Sequence, residues 1–189
     1  MAARVVVPES VALPYEYYCD NVAKSLELFD QLVHLHKPRI IFSSSASVYA
    51  PTKDFEALRV HRSIRSRRMR VPSTSWKWCW RTWQRAPILR SIILRYFNPI
   101  GSDPQLRSGV YVRHPTHVLG QIVMAARGQR EAFLVTGTDY PTRDGTGLRD
   151  YINVWDLALA HAYAVERFDD VLEQTGESST IINIGTAAV

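Results

Sequence analysis

Residues 17–45 read YYCDNVAKSLELFDQLVHLHKPRIIFSSS, and the fold follows from how that stretch divides. Val22, Leu26, Phe29, Leu32, Val33 and Leu35 recur close to every 3.6 residues, which predicts an amphipathic helix over Tyr17 to His36. Lys37-Pro38 ends it, because proline has no amide hydrogen and pushes the residue before it out of helical backbone. Arg39-Ile40-Ile41-Phe42 is a short apolar run of the kind that forms a buried parallel strand, stopping at Ser43-Ser44-Ser45.

Working outward, Arg90 to Phe97 (RSIILRYF) is a second β-rich run, closed by a turn at Asn98-Pro99-Ile100-Gly101. His117 to Arg127 is helical in pattern, Phe133 to Thr136 is strand-like, and residues 138–147 form a polar, Gly-containing loop. An alanine-rich helix is expected from Val154 to Val165, with Asp156 in its first turn, where the helix dipole favours an acid. Ile181 to Gly185 reads as a strand running into a turn. Helix followed by strand, repeated, predicts an α/β fold with a parallel sheet.

The 189 residues suffice for one ordinary domain but not for a complete two-domain enzyme of ~300 residues, so a truncated chain is expected. With 46% hydrophobic and 22% charged residues, global disorder and collagen-like structure are excluded. No uncharged apolar run approaches the ~18 residues needed to span a bilayer. The start, MAARVVVPES, meets Pro8 before a signal-peptide apolar region can form, so a cytoplasmic location is expected. Cys19 and Cys79 make neither a disulfide framework nor a zinc site, and no metal is expected.

The net charge of +5 is unevenly placed. Residues 57–90 hold ten of the 23 Lys and Arg and no acid, together with Trp76, Trp78, Trp80 and Trp83. The rest of the chain has 13 basic against 18 acidic residues and is therefore net acidic. Three readings compete: a nucleic-acid arm in which guanidinium groups meet phosphates and indoles stack on bases, a solvated basic loop, or a stretch translated out of frame. A two-base shift from Trp76 onward forces Glu, Val, Leu and Ala at the junctions fixed by tryptophan's single codon. The other junctions permit Leu-Glu-Val-Val-Leu-Glu-Asp-Met-Ala-Ala, an ordinary amphipathic helix. The out-of-frame reading of residues 57–86 is therefore preferred, with the basic Trp-rich arm as the alternative.

In doubly wound sheets ligands bind beyond the carboxyl ends of the strands, which singles out Ser43 to Ser47 and Asn98. FSSSASVY (42–49), LRYFNPIGSDP (94–104), TDYPTRDGTGLRDYINVWDLALAH (138–161) and PESVALPYEYYCDNV (8–22) closely resemble the UDP-glucose 4-epimerases of the extended short-chain dehydrogenase/reductase superfamily. The resemblance covers roughly residues 7–56 and 87–189. It implies a partial Rossmann-like parallel sheet with part of a smaller carboxyl-terminal substrate domain. On that basis residues 1–101 are a partial NAD-binding domain, and 102–189 are mainly UDP-sugar-binding, with 150–189 returning to the Rossmann domain.

The resemblance further implies NAD as cofactor, a UDP-sugar as substrate, transient oxidation at sugar C4, and a homodimer. By position it makes Ser45 the catalytic serine and a cofactor neighbour, Asn21 and Ser43 NAD contacts, and Phe97 the aromatic beside the nicotinamide. Asn98 becomes a UDP-sugar contact, Arg149 the pyrophosphate arginine, and Leu134 to Thr136 part of the uridine pocket. His117 stands where many relatives have asparagine. An arginine suits pyrophosphate because its fork offers several donors to phosphate oxygens. Taken alone, Arg149 is also readable as a surface ion pair with Asp150 or Asp144, and Ser45 as a cap on the next turn; the long phrases around them decide for the functional reading.

The chain also departs from the family. It has no GxGxxG stretch, Val5 replaces an NAD-contacting lysine, and the catalytic Tyr-x-x-x-Lys pair is not where it is expected. Tyr49 and Lys53 have the right spacing, but Pro51 between them argues against the shared helix face that the pair needs. In the shifted frame, Tyr is permitted across Arg68/Met69 and Lys across Pro72/Ser73. Without that pair, no epimerisation is expected of this polypeptide.

Overall fold

A computed structural model describes residue 4 and residues 7–35, 39–49, 89–135 and 137–186. Val5, Lys37-Pro38, Lys53, Thr136 and the basic stretch 57–86 lie outside the described residues. The chain forms two compact units, one of residues 1–95 and 161–183, the other of residues 96–160 and 184–189.

In the first unit, helices α1 (Val7–Ala12) and α2 (Pro14–Tyr18) lead through a π-helical turn, Cys19–Ala23, into α3 (Lys24–Val33). The helix expected from Tyr17 thus begins earlier, at Pro14, where proline is tolerated because a first-turn amide has no acceptor, and it widens at one turn. Strand β1 (Arg39–Ser45) lies beside β2 (Arg90–Tyr96), which lies beside β5 (Ser179–Ile184). Arg39 and Arg90, at the starts of β1 and β2, share the carboxylate of Asp169, while Tyr49, just past β1, meets Arg95 near the end of β2. Ser91 and Ser179 join hydroxyls near the starts of β2 and β5. The three strands therefore run in one direction, as expected of an α/β sheet.

The strand expected to stop at Ser43 in fact continues through Ser45. Strand continuation needs backbone partners rather than apolar side chains, and the paired strand β2 supplies them as far as Tyr96. Phe29, Ile40, Leu89 and Ile93 form the core, flanked by Leu32, Val33, Phe42 and Ile181, so the apolar face of α3 covers this side of the sheet. Ile92 and Leu94 alternate with Ile93 along β2 and are equally buried, the mark of a central strand covered on both faces.

The second unit holds a short parallel pair, β3 (Asn98–Ile100) with β4 (Tyr151–Asn153), in register Asn98 with Tyr151 and Ile100 with Asn153. The turn expected at Asn98-Pro99-Ile100 is thus a strand. Proline is tolerated at the middle of this three-residue strand because the N–H it lacks faces no ladder partner. Helix α4 (Val118–Ala126) falls inside the expected helix. The strand expected at Phe133 to Thr136 does not form over Phe133 to Val135, where Leu134 is 70% exposed. A β-prone run without a neighbouring strand has nothing to pair its backbone with.

Helix α5 (Val154–Glu166) matches its expectation, and the side chain of Asn153 accepts the N–H of Trp155 at its start. Helix α6 (Phe168–Thr175), which the sequence reading did not anticipate, follows at once and ends on Gly176 in left-handed backbone. Among the described residues, no helix is long and apolar enough to cross a membrane.

Candidate functional site

Three of the expected cofactor residues lie in the first unit. Asn21 is in the π-helical turn, and its carboxamide mimics a peptide partner for residue 4: Oδ1 accepts the Arg4 N–H at 2.9 Å and Nδ2 donates to the Arg4 carbonyl at 2.9 Å. One amide hydrogen of Asn21 then remains for a ligand. Ser43 shares a 2.9 Å hydrogen bond with Nε2 of His161 on α5. Ser45, at the carboxyl end of β1, accepts the Ser47 N–H at 3.2 Å and donates to the Ser47 hydroxyl at 3.0 Å, so it does cap the 3₁₀ turn Ala46–Val48. Its partner is an exposed hydroxyl with rotational freedom, which leaves the Ser45 hydroxyl exchangeable toward a substrate.

Tyr49 has extended backbone, φ −74 and ψ 149, as it leaves that turn. It is 6% exposed, and its hydroxyl donates to Asn183 at 2.6 Å while accepting from Arg95 at 2.9 Å. The Arg95 guanidinium also covers its ring at 5.0 Å. A phenol so enclosed, on backbone that is not helical, plays the part of a strand-end anchor.

Phe97, Asn98, His117, Leu134 and Arg149 lie in the second unit. Asn98 donates twice to the carbonyl of Asp150, from its backbone N–H at 3.1 Å and from Nδ2 at 2.9 Å. Asp150 is the residue after Arg149, so these bonds set Asn98 against the backbone that follows Arg149. Asp150 Oδ1 in turn accepts the Thr186 N–H at 3.0 Å and its hydroxyl at 2.7 Å. Gly185 packs so closely here that a Cβ would stand 2.2 Å from Asp150 Oδ2 and 2.9 Å from the Phe97 ring. Phe97 and Asn98 thus lie against Asp150, the residue next in sequence to Arg149.

Arg149 is exposed, and its guanidinium donates to the Leu148 carbonyl at 3.1 Å. Among the described residues it forms no ion pair, so the surface-pair alternative with Asp150 or Asp144 fails. Asp144 instead accepts the N–H and hydroxyl of Thr146, and these bonds hold its carboxyl below the usual range. The same loop carries Gly145 at φ +76, where a Cβ would meet the Thr138 carbonyl, so glycine is required there.

His117 is the N-cap of α4. Its Nδ1 accepts the Gly120 N–H at 3.1 Å, which puts the proton of the neutral ring on Nε2 and leaves that N–H as the outward donor. Leu134 is exposed and makes no part of the Asp150 cluster. Sequence reasoning missed Asp150 as an organiser and missed Thr186 altogether. The available signal was that Asp150 directly follows the proposed phosphate arginine and directly precedes strand β4.

A model of the NAD dependent epimerase/dehydratase family matches residues 1–185. The chain belongs to this family. Among relatives of the epimerase/dehydratase chain, the UDP-glucose 4-epimerase of Rhizobium meliloti is 38% identical over 189 residues, 98% of this chain and 55% of that protein. The UDP-glucose 4-epimerase of Azospirillum brasilense is 35% identical, over 97% of this chain and 51% of that protein. The epimerase/dehydratase chain therefore spans about half the length of the curated relatives it matches. The structure of UDP-glucose 4-epimerase from Bifidobacterium longum, in complex with NAD+ and UDP, superposes with a TM-score of 0.86 at 31% identity, over 100% of this chain and 55% of that one. The enzyme from Brucella ovis, in complex with NAD, gives 0.85 at 32%, over 100% and 56%. The α/β fold with a parallel sheet, expected from the sequence, is the fold these neighbours have.

Proposed function

We propose that this chain carries part of a UDP-glucose 4-epimerase site, with NAD as cofactor and a UDP-sugar as substrate. The observation that carries the reading is the placement of Asn98 and Phe97 against Asp150, the residue beside Arg149, in a chain whose relatives include UDP-glucose 4-epimerases. Among the described residues the exposed Arg149 guanidinium has no carboxylate partner, so it is available to a diphosphate, and fork geometry lets it donate to two phosphate oxygens. Asn98 has one Nδ2 hydrogen committed to the protein and keeps Oδ1 and the second hydrogen for a sugar or phosphate group. Pairing of two copies, which the resemblance implies, belongs to the same proposal.

The NAD contacts fit unequally. Ser45, with its exchangeable hydroxyl, suits the reacting sugar hydroxyl, and Phe97 suits an aromatic face against the nicotinamide. Asn21 and Ser43 are engaged by Arg4 and His161 and offer only their remaining valences. NAD, when bound, supplies the acceptor and donor of hydride at the sugar carbon. The chain's own part is to hold the diphosphate and to orient the hydroxyl that loses its proton.

Two outcomes test this. Isothermal titration of the 189-residue chain with UDP should show saturable one-site binding, and Arg149→Ala should weaken it about tenfold or more, the cost of losing a charge-assisted pair. Absence of UDP binding would sink the reading. A coupled assay for UDP-galactose should show no turnover, because Pro51 interrupts the Tyr49/Lys53 spacing that the sequence offers for a proton-accepting pair; measurable epimerisation would mean another base does so.

A further inference from the structure

We infer that Asp150 is a positioning residue for nucleotide binding, fixing Asn98 and Arg149 in one arrangement through hydrogen bonds made by its carbonyl and its carboxylate; this rests on the UDP-sugar reading above. Two chain segments converge on it. The β3 segment is held by the two bonds from Asn98 to the Asp150 carbonyl. The segment after β5 is held by the Thr186 N–H and hydroxyl on Oδ1. Gly185 lets that segment approach to a distance at which any side chain would collide with Asp150 Oδ2.

Electrostatics makes this arrangement informative. A carboxylate next in sequence to an arginine that grips a diphosphate repels the ligand, since like charges at short range oppose binding. A purely electrostatic design would place a neutral residue there. The carboxylate is instead occupied as a double acceptor, and what it supplies is geometry: a long, exposed arginine binds well only when the backbone that carries it is already fixed.

Replacing the charge while keeping the acceptor should therefore leave binding intact, and removing the acceptor should not. UDP titrations of the full chain are expected to show Asp150→Ala weakened about tenfold or more, Thr186→Val weakened severalfold, and Asp150→Asn within about twofold of the unsubstituted chain or tighter. Hydrogen exchange at the Thr186 amide should accelerate in Asp150→Ala and not in Asp150→Asn. Equal UDP affinity in Asp150→Ala and the unsubstituted chain overturns the inference while leaving the nucleotide reading standing. Asp150→Asn as weak as Asp150→Ala also overturns it, because the charge would then matter rather than the bonds. If Asp150→Ala does not fold, undiminished UDP affinity in Thr186→Val overturns it in the same way. An unsubstituted chain that binds no UDP overturns the nucleotide reading and the inference with it.

Discussion

Asp103 shows how one buried carboxylate can organise a loop. It is 5% exposed, accepts Arg107 Nε at 2.5 Å and Nη2 at 3.2 Å, and takes the Gln105 N–H at 3.0 Å. The guanidinium of Arg107 lies 5.4 Å over the Trp155 ring, so the pair links residues 103–107 to the start of α5. Hydrogen bonds from Arg107, then from the Gln105 amide, hold the Asp103 carboxyl below its usual range. A depressed folded-state value means that the stabilisation is present above the unfolded value, about 3.9, and is lost as pH falls through the folded value. Thermal melts from pH 7 to pH 2 should therefore show the unsubstituted chain more stable than Asp103→Asn at neutrality, with the gap closing below about pH 4. A gap independent of pH would refute this account.

Residue roles were unevenly legible for a related reason. The serine phrase and Asn98 stood out because polar residues after apolar runs mark strand ends. Asp150 and Thr186 did not, since their significance lies in hydrogen bonds across 36 positions of chain that no local pattern encodes.

Among elements, α6 shows what periodicity misses. Phe168, 2% exposed, is covered by two guanidiniums, Arg39 at 5.8 Å and Arg90 at 5.7 Å, which also share the carboxylate of Asp169. One aromatic and one acid thus dock α6 to the starts of β1 and β2. Phe168→Ala should cost about 3–5 kcal/mol, a large part of a domain's stability, because a ring-sized cavity opens beneath two charges. Urea unfolding would read it, and a loss under about 1 kcal/mol would show that α6 contributes little.

The α3 helix and β2 were predictable from apolar spacing because each buries a face. The run Phe133 to Val135 had the composition of a strand and no strand partner among the described residues, and composition alone cannot supply one.

For the whole molecule, the sequence determined the alternation of helix and strand, and with it an α/β sheet covered on both faces, because burial of Ile40, Ile92, Ile93 and Leu94 demands apolar neighbours above and below. It also identified the serine at the end of β1 and the arginine before β4, since their surrounding phrases are long and contiguous. Tertiary structure decided which candidates share a place. It tied Asn98 to Arg149 through Asp150, turned His117 into a cap, and engaged Asn21 and Ser43 with protein partners. The reason is physical: apolar periodicity is a local property of the chain, whereas a hydrogen-bonded cluster exists only once distant segments have been brought within 3 Å by the packing of everything between them.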